Sequence, residues 1–209
     1  MIIQKSYTKQ FITLSFVMVM VLLVSISLGS VVIPIDEIIA ILLGNNSSKS
    51  SWSTIILHFR LPKAITAMLV GSGLSIAGLL MQTLFKNPLA GPFVLGISSG
   101  ASLGVAILIL GAGIFGGVLT TVSFSSWGLA IASSLGAAIV LLAVLITAHK
   151  VRNTMSILII GLMFGTVTSA IISVFTFFSN ADKIQQFVFW GFGSLGNLSW
   201  NEILVFFII

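Results

Sequence analysis

Residues 60–104 read RLPKAITAMLVGSGLSIAGLLMQTLFKNPLAGPFVLGISSGASLG. Two apolar segments, Leu61–Phe85 and Phe93–Leu110, flank a short turn, Lys86-Asn87-Pro88-Leu89-Ala90-Gly91-Pro92. The first segment is about 25 residues long, enough at ~1.5 Å per residue to cross a ~30 Å hydrocarbon core with some tilt. A soluble helix of that length needs a polar face, and this one has none. The stretch therefore predicts two membrane helices joined by a polar turn.

Small residues add a second property. Ala67, Gly71 and Ser75 recur every fourth position, and Gly96, Gly100 and Gly104 do so in the next segment. Residues four apart share a helix face, so each segment carries a smooth stripe that lets another backbone approach closely. Gly128, Ala132 and Gly136 repeat the pattern further on, as do Gly161, Gly165, Ser169 and Ser173. Such stripes mark helix packing in lipid and do not by themselves name a function. In the turn, Pro88 and Pro92 lack amide donors and push Asn87 and Gly91 away from helical geometry.

Composition sets the class. Hydrophobic residues make up 57% of the chain and charged residues only 6%, with a mean hydropathy of +1.22. A soluble domain of this length carries far more charge, so the expected fold is all-α, a polytopic transmembrane helix bundle forming a single domain over 1–209. Cysteine is absent, which excludes disulfides, thiolate metal sites and a thiol nucleophile.

Outward from the opening stretch, Phe11–Val32 is an apolar run too long for a signal peptide and without a clear cleavage site. Pro34–Phe59 is polar enough for a surface loop, with a short amphipathic helix over Pro34–Leu43. A Gly- and Ser-rich connection, Gly111–Ser126, has room for a short partly inserted helix. The remaining spans are expected at Trp127–Ala148 and Met155–Phe178, with Asn180–Ser199 as a loop. A sixth span opens at Trp200 and is cut at Ile209, so the sequence reads as truncated there. The expected spans are thus 11–32, 61–85, 93–110, 127–148, 155–178 and 200–209. Alternation from an inside N-terminus places Lys5, Lys9, Lys86, Lys150 and Arg152 inside, and Lys49, Arg60, Lys63 and Lys183 outside. That is a narrow positive-inside excess, and Arg60 and Lys63 run against it.

Catalytic constellations are not found in the sequence. His58 and His149 fall on opposite faces in this topology, and neither has a carboxylate neighbour to orient it. No acid pair lies within a span to form a proton relay or ion site, and no Gly-rich loop runs into Lys-Ser/Thr for a nucleotide. No catalytic, cofactor or metal residue is therefore assigned, and any ATP hydrolysis must belong to another chain. An importer permease and an ATP-independent transporter or channel both remain open on these grounds.

The run RLPK…VGSGLSIAGLLMQTLFKNPLAGPFVLGISSGASLG closely resembles the FecCD-type permeases, membrane subunits of ABC importers for iron chelates, haem and vitamin B12. The matching elements are Arg-Leu-Pro, Gly-x-x-Leu-x-x-x-Gly, a Gln before Asn-Pro-Leu-Ala, and Leu-Gly-Ile-Ser-x-Gly-Ala. Ile160-Gly161 and Trp190-x-x-Gly193-Ser194 extend the likeness along the chain, which corresponds to the N-terminal part of such a permease. The resemblance implies a multi-pass protein of the bacterial cytoplasmic membrane that passes an iron chelate inward. The implied partners are a second permease subunit, identical or not, an ATP-binding cassette ATPase dimer, and an extracytoplasmic substrate-binding protein. Neither a cofactor nor a nucleic acid is implied. Vitamin B12 is the alternative cargo, and a non-functional fragment is the alternative for a chain ending before the family's ATPase-coupling helix.

Site roles follow from the same resemblance. Asn87 and Leu89, with Asn153, Thr154 and Met155, would narrow the inner end of the pathway; Asn87 and Asn153 read equally as helix caps. Arg60 and Lys63 would meet acidic side chains on the docked binding protein, with a snorkelling pair at the membrane interface as the plainer account. Lys63 stands where the family usually has Arg, so Arg60 is expected to matter more. Gly71, Gly96, Gly100, Gly104, Gly161 and Gly165 are expected at helix contacts.

Overall fold

The computed structural model describes residues 7–45, 47–112, 125–151, 154–196 and 198–208, all helix or connection, with no strand among the described residues. Four helices are long and apolar enough to cross a membrane: Thr8–Ser27, Ser50–Phe85, Ser126–Ala148 and Ser156–Phe177. Their large side chains point mostly away from the protein; Phe11, Leu79, Ile139 and Met163 are each more than 60% exposed. Apolar surface of that extent is stable against lipid or another apolar surface and not in water. The chain is a multi-pass membrane protein. Where the sequence reads as one domain, contacts concentrate in two compact units, residues Met1–Gly73 with Ser194–Ile209, and Leu74–Gly193.

In the first unit, α1 (Thr8–Ser27) is followed by α2 (Ile35–Leu42), α3 (Ser50–Ile55), a π-helical turn over Ile56–Arg60, the start of α4 (Leu61–Phe85), and α9 (Trp200–Ile208). The apolar run 11–32 does not stay helical to its end. Leu28 is extended, and the carbonyls released there find the Arg60 side chain. α2 starts after Pro34 with Asp36 and Glu37 in its first turn, where the helix dipole favours acids. It buries Ile38 and Ile41 against Ile26, Ile33, Ile56 and Ala64. Residues 50–59, expected within a surface loop, are helical and run through Arg60 directly into α4. Serines fill the start of this helix, but Ile55, Ile56 and Leu57 and the ring of Trp52 pack on the same cluster and hold it.

The π turn has a local cause. The Leu61 amide donates to the carbonyl of Ile56, five residues back, so Pro62, which has no N–H, leaves the next carbonyl, Leu57, without its partner. The indole Nε1 of Trp200 donates to that oxygen at 3.1 Å. Trp200 is held by a capping box: the Ser199 N–H donates to Glu202 Oε2 at 2.8 Å, and the Glu202 N–H returns to Ser199 Oγ at 3.4 Å.

The second unit holds the rest of α4, a 3-10 turn over Pro92–Leu95, α5 (Ile97–Ile109), α6 (Ser126–Ala148), α7 (Thr154–Phe177) and α8 (Ala181–Gly191). The expected span 93–110 is broken at Gly96, whose φ of 73° no helix accepts. That leaves α5 with 13 residues, about 20 Å, short of the membrane's ~30 Å. Residues 181–191, expected in a loop, form α8 instead. Ile184, Phe187 and Trp190, three apart, pack with Ile172 and Phe175 of α7 against the cluster of Val105, Ala106, Ile109 and Leu110 at the end of α5. The expected insertion of a helix over 111–126 falls mostly outside the described residues.

Candidate functional site

Two glycine crossings fix α5, and both use the stripe singled out in the sequence. On one face, a methyl at Gly100 would sit 2.6 Å from the Gly136 carbonyl oxygen and 2.8 Å from Val140 Cβ. A methyl at Gly104 would run into the carbonyl of Ala132. The α5 and α6 backbones are therefore in van der Waals contact, which only small residues at these positions allow. On the other face, a methyl at Gly96 would lie 2.9 Å from the Gly161 carbonyl and one at Gly161 would strike that of Val94, while Gly165 meets the Ser99 hydroxyl. Gly71 differs: among the described residues a methyl there would meet no atom within 4 Å.

Gly96, Ser99, Gly161, Gly165, Thr166 and Ser169 line an open notch of about 310 Å³ between α5 and α7. Two of its hydroxyls are occupied locally: Thr166 donates to the Met163 carbonyl at 2.7 Å and Ser169 to that of Gly165 at 2.9 Å. The wall is smooth, weakly polar and uncharged.

The turn after α4 is built from its own sequence. Lys86 takes φ 48°; the Asn87 amide reaches back to the Gln82 carbonyl at 3.1 Å and that of Lys86 to Thr83 at 3.4 Å, the paired bonds of a Schellman termination. Asn87 Oδ1 then accepts the Leu89 N–H at 2.9 Å, and the Ala90 N–H donates to the Asn87 carbonyl at 3.1 Å. The Asn87 side chain thus shapes the turn while its amide helps to close the end of α4. Leu89 stands at its tip, 89% exposed. Phe85 and Ala90, on either side of the tip, are buried in one cluster with Ile157 and Leu158 from the first turns of α7. The two expected gate segments are therefore brought to one end of this unit. Asn153 and the side chains of Thr154 and Met155 lie outside the described residues.

At the first unit's rim, Arg60 and Lys63 border a cavity of about 560 Å³ with Ser25, Leu28, Gly29 and Phe59. Arg60 is half-buried and Lys63 exposed. The two are not equivalent. Arg60 Nη1 donates to the carbonyls of Ile26 (2.6 Å) and Ser27 (2.9 Å), and Nη2 to that of Val31. Lys63 makes no hydrogen bond or ion pair among the described residues.

The profile of the FecCD transport family matches residues 17–209. The chain belongs to the FecCD family. Among similar proteins, the "Probable iron chelatin transport system permease protein" of Helicobacter pylori (strain ATCC 700392 / 26695) is 39% identical over 165 residues, 78% of this chain and 47% of its own. The vitamin B12 import system permease protein BtuC of Escherichia coli O17:K52:H18 is 33% identical over 161 residues, 74% of this chain and 47% of its own. A solved structure described as an inward-facing metal-chelate type ABC transporter superposes with a TM-score of 0.78 at 26% identity, covering 97% of this chain and 58% of that one. This FecCD chain spans about half the length of the curated relatives it matches.

Three features of the FecCD chain were not anticipated from sequence: the Trp200 bond to the π turn, the capping box, and the carbonyl acceptors of Arg60. Ser199-x-x-Glu202 before an apolar run was a legible signal for the second. The other two link residues far apart in sequence and leave no local pattern.

Proposed function

We propose that this chain is part of the permease subunit of an ABC importer, passing an iron chelate from an extracytoplasmic binding protein into the cytoplasm. ATP hydrolysis takes place on a separate ATPase dimer, and a second permease subunit completes the pathway in the bacterial cytoplasmic membrane. The observation that supports this most is the coincidence of the family match with the glycine crossings of α5. Gly96, Gly100 and Gly104 lie in the motif stretch that carries the resemblance, and a methyl on any of them would strike the backbone of a neighbouring helix. The smooth, uncharged notch beside them suits a pathway whose selectivity lies with the binding protein. Leu89, at the exposed tip of its turn, acts as an inner constriction with the start of α7.

Uptake decides the reading. The natural full-length gene is placed with its ATPase and binding protein in a strain lacking its own iron-chelate permeases, and entry of radiolabelled ferric siderophore is followed. Uptake that disappears when the ATPase is inactivated is the expected result; uptake indifferent to the ATPase would favour an ATP-independent transporter. The vitamin B12 relatives support a second reading with cobalamin as cargo, and labelled cyanocobalamin in the same cells separates the two.

A further inference from the structure

We propose that Trp200 is a positioning residue, whose indole selects the π register in which residues 50–60 enter α4. A π turn carries more backbone per turn than the α-helix around it, and proteins hold it as a single inserted turn. Pro62 leaves the choice of register open here. The Leu61 amide donates to the Ile56 carbonyl, so the Leu57 carbonyl has neither donor that could reach it, Leu61 four positions on or Pro62 five. Were Leu61 to donate to Leu57 instead, the turn would be α-helical, and Pro62 would deprive the His58 carbonyl of its donor. Either register leaves one carbonyl short. The proline sets the shortage but not its place. The indole Nε1 of Trp200 reaches the Leu57 oxygen at 3.1 Å. A donor at that point favours the π register, because in the α register Leu61 already supplies Leu57.

Register decides packing. One residue more or less in the turn rotates the segment before it by about 100° relative to α4. In the π register Trp52, Ile55, Ile56 and Leu57 all lie in the cluster with Ile26, Ile33, Ile38 and Ile41, and a rotation of that size would carry them off it. Trp200 is itself placed from elsewhere: the Ser199 and Glu202 box fixes the first turn of α9 without help from the π turn. Beside the indole, Ile65 and Leu69 of α4 and Ile203, Leu204 and Phe207 of α9 line an open apolar cavity of about 360 Å³. α9 thus rests loosely on α4 there, and the indole bond supplies the tie between the start of α9 and the turn. A tryptophan serving only as an interfacial anchor directs its N–H to water or headgroups. This one directs it to the oxygen that Pro62 leaves short.

The test uses the natural full-length protein in lipid nanodiscs, with amide hydrogen exchange followed over residues 56–61 in Trp200→Phe, Pro62→Ala and the double variant. Trp200→Phe keeps an aromatic ring and removes the donor, so exchange should rise roughly fivefold, the scale of one neutral hydrogen bond. Pro62→Ala returns a backbone N–H to the turn, so adding Trp200→Phe to it should change exchange by less than about twofold. Unchanged exchange in Trp200→Phe overturns the proposal. An acceleration of equal size in the Pro62→Ala background also overturns it, and leaves Trp200 an interfacial anchor. If Trp200→Phe yields no folded protein, recovery of the fold on adding Pro62→Ala supports the proposal and failure to recover it overturns it. These readouts involve neither cargo, ATPase nor binding protein, so their outcome is independent of the uptake experiment.

Discussion

Lys86 occupies backbone space that side chains rarely enter, with φ 48° at the position where a helix terminates in a Schellman turn. Glycine is the usual residue there, because a Cβ in the left-handed region costs an L-residue roughly 1–2 kcal/mol. Lys86→Gly should therefore stabilise the protein by about 1 kcal/mol, seen as a higher melting temperature in detergent; a lower one would mean that the lysine side chain holds the turn. Gly96 is the opposite case. It shares the positive φ but is pressed against the Gly161 carbonyl, so no substitution there relieves anything. Single letters hide such differences. Glycine at 96 reads as one more member of a stripe, and Arg60 as one more interfacial cation, until the backbone conformation of one and the acceptors of the other are known.

Helices that could be read from sequence are those whose signal is continuous. α4 ends at Phe85 as the apolar run does, because the Lys-Asn-Pro that follows supplies both the helix stop and the turn. α8 was missed for the complementary reason: Asp182, Lys183, Gln185 and Gln186 break its apolar letters, and only the spacing of Ile184, Phe187 and Trp190 betrays a face. The candidate site divides in the same way. The Asn87–Leu89 turn and the α5 stripe were legible because local chemistry builds them, while the acceptors of Arg60 are three carbonyls supplied by a distant segment. Packing at the stripe is open to direct challenge. Gly100→Leu would force a side chain into the Gly136 backbone, which cannot move aside cheaply, so α5 and α6 should separate at a cost of about 1–3 kcal/mol or more. The unsubstituted protein is the control. Comparing melting and monodisperse yield of the two in the natural full-length protein checks the contrast; equal behaviour would remove Gly100 from the helix interface.

At the scale of the molecule, the gate proposal places Leu89 where ATP-driven rearrangement would be felt. This chain contributes no cysteine, so once any cysteines elsewhere in the assembled transporter are replaced, Leu89→Cys reports on this turn. Its reaction with a maleimide should change several-fold between ATP-bound and ATP-free states, and a constant rate would make the turn a static surface feature. The two units raise a different matter, that of synthesis. The second unit is one unbroken segment, Leu74–Gly193, whereas the first joins Met1–Gly73 to Ser194–Ile209. At roughly 5–20 residues per second, the ribosome needs on the order of ten seconds to travel from the end of one piece to the start of the other. Through that interval the Leu57 carbonyl, deprived of its donor by Pro62, waits for an indole that does not yet exist. The whole of the second unit is thus synthesised before Trp200 can supply the donor that Pro62 withholds from the first.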